Sequence, residues 1–254
     1  MELRSEPLEF SLVIPTFNER ENLEELFARL DRVLAGRRFE VILVDDDSPD
    51  RTWLAAEKLV AQYAWLRVVR RIGERGLSSA VVCGFRHARG RTLGVMDADL
   101  QHDENRWPQL LEVMEQADFA IATRRAAGGE TDRWKWSRRL TSQVATSLAH
   151  GFAHVPLSDP MSGFFAMRRR LFVALENVSM EPQGYKILLY LYARALQRFG
   201  ADNLRVGEVG YRFRRRKNGA SKLSSRVVFE FLAMLFELRF GPRPRMGRPR
   251  IAHA

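Results

Sequence analysis

Two aspartates stand two residues apart in VMDADLQH: Asp97 and Asp99, closing the apolar run Leu93-Gly94-Val95-Met96. Paired acids at a strand end either cap the next loop and face water, or offer hard oxygen ligands to a divalent cation. Mg²⁺ takes one or two carboxylates, keeps some waters and bridges to substrate phosphates. A bare D-x-D is too short to choose between these readings. Its surroundings add weight to the second. Gln101 supplies an amide oxygen just beyond Asp99, and a second acidic stretch, VDDDSPD (44–50), also ends an apolar run. Acids gathered on one crevice need a cation or hydrogen-bond donors to offset their repulsion. Between the two stretches lies GERGLSSAVVCGF (73–85). Its glycines permit close backbone approach, and a helix starting near Ser78 would present free N–H groups suited to a phosphate. A plain turn with small packing residues explains the same letters. The pattern is neither a Walker loop nor G-x-G-x-x-G.

These residues need a frame, and the first half of the chain alternates. FSLVIPT (10–16), FEVILVD (39–45), LRVVR (66–70), RTLGVMD (91–97) and FAIAT (119–123) read as strands. Helices are expected between them. Asn18 is expected to cap the first, with Glu21 in the capping-box position. Leu23, Leu26, Phe27, Leu30 and Val33 then form its apolar face. Others are expected after SPD, over about 78–89 and over 107–115. Strands apolar on both faces and separated by helices predict a mostly parallel sheet covered on two sides. Ligands of such sheets sit outside the carboxyl ends of the strands, where Pro15, Asp45, Asp46 and Asp97 would lie. In the second half, helices are expected over about 137–151, 185–199 and 223–240, with strand-like FFAM before the run RRR (168–170) and a further strand-like stretch over 206–213.

The chain has 254 residues, enough for a sizeable core, and a net charge of +10 that implies an anionic partner. One cysteine, Cys83, rules out an intrachain disulfide and a cysteine-based zinc site. The N-terminus MELRSEPLEF lacks the apolar stretch of a signal peptide, so a reducing, cytoplasmic setting is expected. No run approaches the roughly 20 apolar residues needed to span a bilayer. The segment 241–254 has four arginines, three prolines and no acids, the composition of a disordered basic tail.

Seven motifs in order, IPTFNERENL, VDDDSPD, GERGLSSAVVCGF, MDADLQHD, DPMSGFFAMRR, QGYKILLYL and RRKNGASKL, resemble the polyprenol-phosphate mannosyltransferases. These are family 2 glycosyltransferases with the GT-A fold, an α/β architecture with a mostly parallel central sheet and helices on both faces. The resemblance spans about residues 10–225 and implies a single GT-A domain over 1–240. It implies mannose transfer from GDP-mannose to a polyprenyl phosphate of the dolichyl type, with inversion at the sugar, and Mg²⁺ or Mn²⁺ as cofactor. Matched residue by residue, Pro15, Phe17 and Glu19 border the nucleotide. Phe17 stands where tyrosine is often found, so stacking survives and a hydroxyl contact is lost. Val44 and Asp46 hold the nucleoside, and a carboxylate can accept from paired N–H groups of guanine. Asp97, Ala98, Asp99 and Gln101 form the donor motif, with Asp99 and Gln101 as metal ligands. Arg216 and Lys222 close on the donor phosphates from a flexible loop, and with Asp99 they carry catalysis. Arg124, Arg138 and Ser142 bind the acceptor phosphate. His102 is expected to line the site or cap a turn rather than act as a base.

The acceptor would be a membrane lipid, so peripheral contact with the cytoplasmic face of the membrane is expected. In the helix expected over 223–240, Arg226, Glu230 and Glu237 share one side and the broad remainder is apolar, with Val227, Val228, Phe231, Leu232, Met234 and Leu235; core packing, a dimer contact and membrane contact all fit. The tail arginines and those around Trp134 and Trp136 suit an anionic surface. Three rivals remain. One is the same fold and lipid with UDP-glucose or another donor, in a branch that usually carries transmembrane helices. Another is a phosphorelay receiver, which wants an acid pair where this first strand ends in Pro15-Thr16. The last is a nucleic-acid-binding protein, for which no motif appears.

Overall fold

A computed structural model of the protein describes residues 8–124, 130–131, 151, 155–176, 186–214 and 225–240. Valine, isoleucine and leucine dominate β1 (Phe10–Thr16) and β2 (Phe39–Asp45), and both strands are buried on both faces. Branched side chains favour the pleated conformation, and a strand that is apolar throughout belongs inside a sheet. β3 (Leu66–Arg70), β4 (Thr92–Val95), β5 (Phe119–Thr123), β7 (Phe165–Arg168) and β8 (Val206–Gly210) complete a seven-stranded sheet ordered β3-β2-β1-β4-β7-β5-β8. β7 runs antiparallel to β4 and β5, and every other pairing is parallel. The carboxyl ends of the six parallel strands therefore share one edge. A two-stranded parallel ribbon, β6 (Glu130–Thr131) with β9 (Arg212–Phe213), stands apart.

Alternation along β1 divides the core. Val13 faces the layer of α3 (Leu77–His87), α5 (Arg169–Glu176), α6 (Ile187–Phe199) and α7 (Ser225–Phe240). Leu12 and Ile14 face α1 (Leu23–Val33), α2 (Thr52–Leu59) and α4 (Trp107–Gln116). Gly84 brings α3 onto the sheet: a Cβ there would stand 2.4 Å from Val13 Cγ1. Gly84→Ala should cost about 1–3 kcal/mol by overpacking, read as a lowered urea midpoint with unchanged slope.

Two sequence expectations change. Asn18 does not cap α1; it adopts φ +58° and a 3₁₀ turn (Arg20–Asn22) precedes the helix. The reason is non-local. Asn18, Glu19 and Arg20 donate their backbone N–H groups to Ser48 Oγ (2.9 Å), Thr52 Oγ1 (3.0 Å) and Asp50 Oδ2 (3.2 Å), so residues 48–52 satisfy the N–H groups leading into the 3₁₀ turn. β4 stops at Val95, two residues short of Asp97. The run RRR divides between two elements: Arg168 ends β7 and the next two arginines open α5.

At the opposite edge of the sheet Glu40 accepts from Ser11 Oγ (2.7 Å), the Arg89 backbone N–H (2.8 Å) and the guanidinium groups of Arg89 and Arg67. Burial alone would raise its pKa, but the hydrogen bonds from Arg89, Ser11 and Arg67 outweigh burial and hold it below the ordinary glutamate value. A lowered folded pKa stabilises the protein above the unfolded value, and this contribution is lost as pH falls through the folded one. Glu40→Gln should cost about 1–2 kcal/mol at pH 7, modest because both arginines reach water. Urea unfolding should show wild type and variant converging in acid.

Candidate active site

The acids of VDDDSPD have separate partners within the chain. Asp45 is fully buried and accepts from Thr16 Oγ1 (2.9 Å), the Ser48 N–H (2.8 Å) and Ser48 Oγ (2.6 Å), which folds the turn. Asp50 accepts from the Thr52 N–H (2.9 Å) and starts α2. Asp47 pairs with Arg70, whose guanidinium lies 3.8 Å from the Trp53 ring centroid. Asp46 faces the crevice edge and is clamped: Oδ1 accepts Arg71 Nε (2.7 Å) and Nη2, and Oδ2 accepts the Gly76 N–H (2.8 Å). Donors of the chain itself thus offset this repulsion, and among the described residues no three His, Cys, Asp or Glu side chains gather as a metal site. The GERGL loop ends at Gly76, φ +142°, before α3, and its N–H is directed at the Asp46 carboxylate.

Around it lie the other predicted donor contacts. Pro15 pairs with Val44 across β1 and β2; Pro15 is half-buried and Val44 fully buried. The Arg75 guanidinium lies 4.2 Å from the centroid of the Phe17 ring. Glu19 accepts from Asn22 Nδ2 at 2.7 Å.

MDADLQH makes a tight turn, with Leu100 at φ +60°. Ala98 and Asp99 are buried, and Asp99 Oδ1 accepts the Gln101 N–H at 3.1 Å. Gln101 and Arg214 clasp each other: Gln101 Nε2 donates to the Arg214 carbonyl (3.0 Å), and the Arg214 N–H donates to the Gln101 carbonyl (2.8 Å). Arg214 is anchored by Asp103 and Glu104, each at 2.7 Å. An amide is planar, so directing Nε2 at Arg214 turns Oε1 the other way. His102 bridges Asp97 and Tyr211.

On the far side of β4, Arg124 follows β5. Its Nε and Nη2 grip Asp159 Oδ2 (2.6 Å) and Oδ1 (2.8 Å), and Asp159 is wholly buried. Burial would lower the arginine pKa; the bonds and charge of Asp159 reverse this and raise it. The fork that sequence reasoning gave to a phosphate is therefore directed at Asp159, from the DPMSGFF motif. Beside it Thr123 and Ser158 share a 2.7 Å hydrogen bond. Arg138, Ser142, Arg216 and Lys222, and Trp134 and Trp136, lie outside the described residues.

Residues 11–175 match the family described as Glycosyl transferase family 2. The chain belongs to the family 2 glycosyltransferases. It is 42% identical over 236 residues to a dolichol-phosphate mannosyltransferase of Pyrococcus furiosus, covering 91% of this chain and 64% of that protein. It is 38% identical to a dolichol-phosphate mannosyltransferase of Mycosarcoma maydis, covering 92% of this chain and 81% of that protein. Membership therefore narrows to the dolichol-phosphate mannosyltransferases. The fold aligns with the crystal structure of glucosyl-3-phosphoglycerate synthase from Mycobacterium tuberculosis in complex with Mn²⁺, UDP and glucosyl-3-phosphoglycerate. The TM-score is 0.71 at 18% identity, with 92% of this chain and 81% of that chain covered, which shows the GT-A architecture.

For a family 2 glycosyltransferase the Asp99–Gln101 pair fits a hard divalent cation. One buried carboxylate and one amide oxygen turned away from Arg214 are too few for an all-protein cage, as expected where diphosphate and water complete the shell. Sequence reasoning missed Arg71, Arg75 and Tyr211. Arg71 follows the end of β3, so the rule that placed Asp46 at the carboxyl edge places it there too. Tyr211 follows β8 directly and reaches the same edge.

Proposed function

We propose that this glycosyltransferase moves mannose from GDP-mannose to a polyprenyl phosphate with inversion. The observation that carries this reading is that the Asp97–Gln101 turn and Asp46 follow strands on either side of β1 at the same carboxyl edge of the sheet, in a chain whose relatives are dolichol-phosphate mannosyltransferases. In it Pro15, Phe17, Glu19, Val44, Asp46, Asp97 and Ala98 contact the donor. Asp99 and Gln101 hold Mg²⁺ or Mn²⁺, which neutralises charge on the departing diphosphate. Arg216 and Lys222 act on the donor phosphates, and Arg124, Arg138 and Ser142 on the acceptor phosphate.

A phosphate monoester is largely dianionic near neutrality, its second pKa being about 6, so no strong base is needed. An acceptor oxygen forms a bond to the anomeric carbon as the bond to the nucleoside diphosphate breaks. GDP leaves with the electron pair, and an α-linked donor gives a β-linked mannosyl phosphate. Alignment and charge stabilisation supply the catalysis.

Asp46 is the base reader in this proposal, with one revision. An ionised carboxylate has about four acceptor sites, and Arg71 and Gly76 make three bonds to Asp46. Accepting one base N–H at the remaining site suits the N1–H of guanine, but also the N3–H of uracil. The deciding experiment offers labelled GDP-mannose, UDP-glucose and UDP-N-acetylglucosamine separately with a short polyprenyl phosphate. Label entering the lipid phase from a uridine donor, and not from GDP-mannose, overturns the reading.

Peripheral membrane contact belongs to the same proposal. No helix among the described residues is long and apolar enough to cross a membrane. Met234, Leu235 and Leu238 of α7 are buried, whereas Leu232, Phe236 and Phe240 lie 48%, 65% and 62% exposed. α7 thus packs by one face and shows an apolar stripe at i, i+4, i+8 on another, next to the basic tail. Changing Leu232, Phe236 and Phe240 to Ser should weaken sedimentation with anionic liposomes and leave the melting temperature near wild type. Unaltered liposome binding would remove α7 from the membrane contact. Leu235 is unsuited to this test because its loss would open the core.

A further inference from the structure

His102 is buried, with its ring among those of Phe164, Tyr211 and Phe213 at centroid distances of 5.2, 5.6 and 5.5 Å. Both ring nitrogens are engaged. Nε2 stands 3.2 Å from Asp97 Oδ2, and Nδ1 stands 3.0 Å from the Tyr211 hydroxyl. A carboxylate only accepts, so Nε2 carries the hydrogen in that bond, and the Nδ1 of a neutral ring accepts from the Tyr211 O–H. Burial above all pushes the Tyr211 phenol far up, so the hydroxyl keeps its hydrogen. The Tyr211 backbone N–H in turn donates to the Thr123 carbonyl at 3.1 Å, which ties the relay to the end of β5. A second constraint comes from DPMSGFF. A Cβ at Gly163 would stand 3.1 Å from Asp97 Oδ2 and 3.4 Å from Oδ1, so only glycine leaves this carboxylate its full space.

We infer that Tyr211 and His102 are positioning residues for the donor: Tyr211 sets the His102 ring, and His102, opposite Gly163, sets the rotation of the Asp97 carboxylate against the nucleotide sugar. Neither touches the reacting atoms. This rests on the reading of Asp97 as a donor contact. It assigns the histidine of the motif a different task from turn capping or general base catalysis. Three aromatic rings pack against the imidazole, and with both of its nitrogens bonded the ring is held in one orientation.

The test measures donor kcat/KM, acceptor KM and melting temperature for His102→Leu, His102→Gln, Tyr211→Phe, Gly163→Ala and Asp97→Asn. Partners that orient a site residue typically contribute about 10–100-fold in activity, so His102→Leu should lose that much in donor kcat/KM with acceptor KM unchanged. Gln at position 102 keeps an N–H donor near the Nε2 position and should recover most of the loss. Tyr211→Phe and Gly163→Ala, which disturb the core least, should each lose less and in the same donor parameter. Combining His102→Leu with Asp97→Asn should be no worse than Asp97→Asn alone, because the two act through one carboxylate. The inference is overturned if His102→Gln is as impaired as His102→Leu in folded protein, if the combined losses multiply, or if acceptor KM carries them. Should His102→Leu fail to fold, undiminished donor use by both Tyr211→Phe and Gly163→Ala overturns it. An unimpaired Asp97→Asn would overturn the donor reading of Asp97 itself, whereas an impaired Asp97→Asn with a normal His102→Leu refutes the positioning role alone.

Discussion

Asp99→Asn should lower turnover about a thousandfold, the loss of roughly 4 kcal/mol from the transition state. The substitution keeps the size of the side chain and one oxygen, and removes the charge. The hydrogen bond from the Gln101 N–H to Oδ1 survives, because an amide oxygen still accepts it. The fold of the turn should therefore persist, seen as an unchanged melting temperature. Two roles predict different remedies. A ligand acts through the cation, so raising Mn²⁺ should restore part of the activity and raising pH should not. A general base acts on a proton and responds the other way. Calorimetry separates them further. If Asp99 is a ligand, metal-dependent GDP binding weakens along with turnover. GDP binding at wild-type strength in the presence of metal, with turnover lost, would falsify the ligand role and place Asp99 in the chemistry directly.

Most of the strands were legible because each is an apolar run ended by an acid, a threonine or an arginine at the same edge. β1, β2, β3 and β5 fall on the expected residues, since each is a run of only five to seven residues rich in β-branched or aromatic side chains, too short for a helix. What sequence reasoning misplaced depends on contacts between distant segments. Asn18 has the right residue type and position for a cap, yet the N–H groups around it are satisfied from residues 48–52. The crowd of acids in VDDDSPD called for a cation or hydrogen-bond donors, and the donors come from the chain itself: the acids resolve into a turn former, a helix starter and two arginine pairs, because Arg70 and Arg71 enter from the end of the neighbouring strand. Arg124 and Asp159 are 35 residues apart and no local pattern joins them. His102 illustrates the same limit: its place in the motif was plain, but its partner Tyr211 arrives from the end of β8, 109 residues away.

The Arg124–Asp159 pair offers the largest expected effect on stability. Asp159 is wholly buried and the Arg124 side chain is 13% exposed, so deleting one partner breaks a bidentate ion pair in a poorly solvated place. Asp159→Ala should cost about 3–5 kcal/mol. At about 2–4 °C per kcal/mol for a domain of this size, the melting temperature should fall by roughly 10 °C. Replacing both partners by apolar residues of similar volume, Arg124→Met with Asp159→Leu, should recover most of this, because buried ion pairs often contribute little net stability over such replacements. That doubly substituted protein then isolates function from folding. If the guanidinium edge fixed by Asp159 serves the acceptor, the folded double variant should bind GDP normally and use polyprenyl phosphate with a strongly raised KM. Normal acceptor kinetics in the refolded double variant would confine Arg124 to a structural pair. GDP binding weakened as much as acceptor use would instead place it on the donor side. A double variant no more stable than Asp159→Ala would show that the bidentate geometry itself, beyond the neutralised charge, holds the DPMSGFF segment against β5.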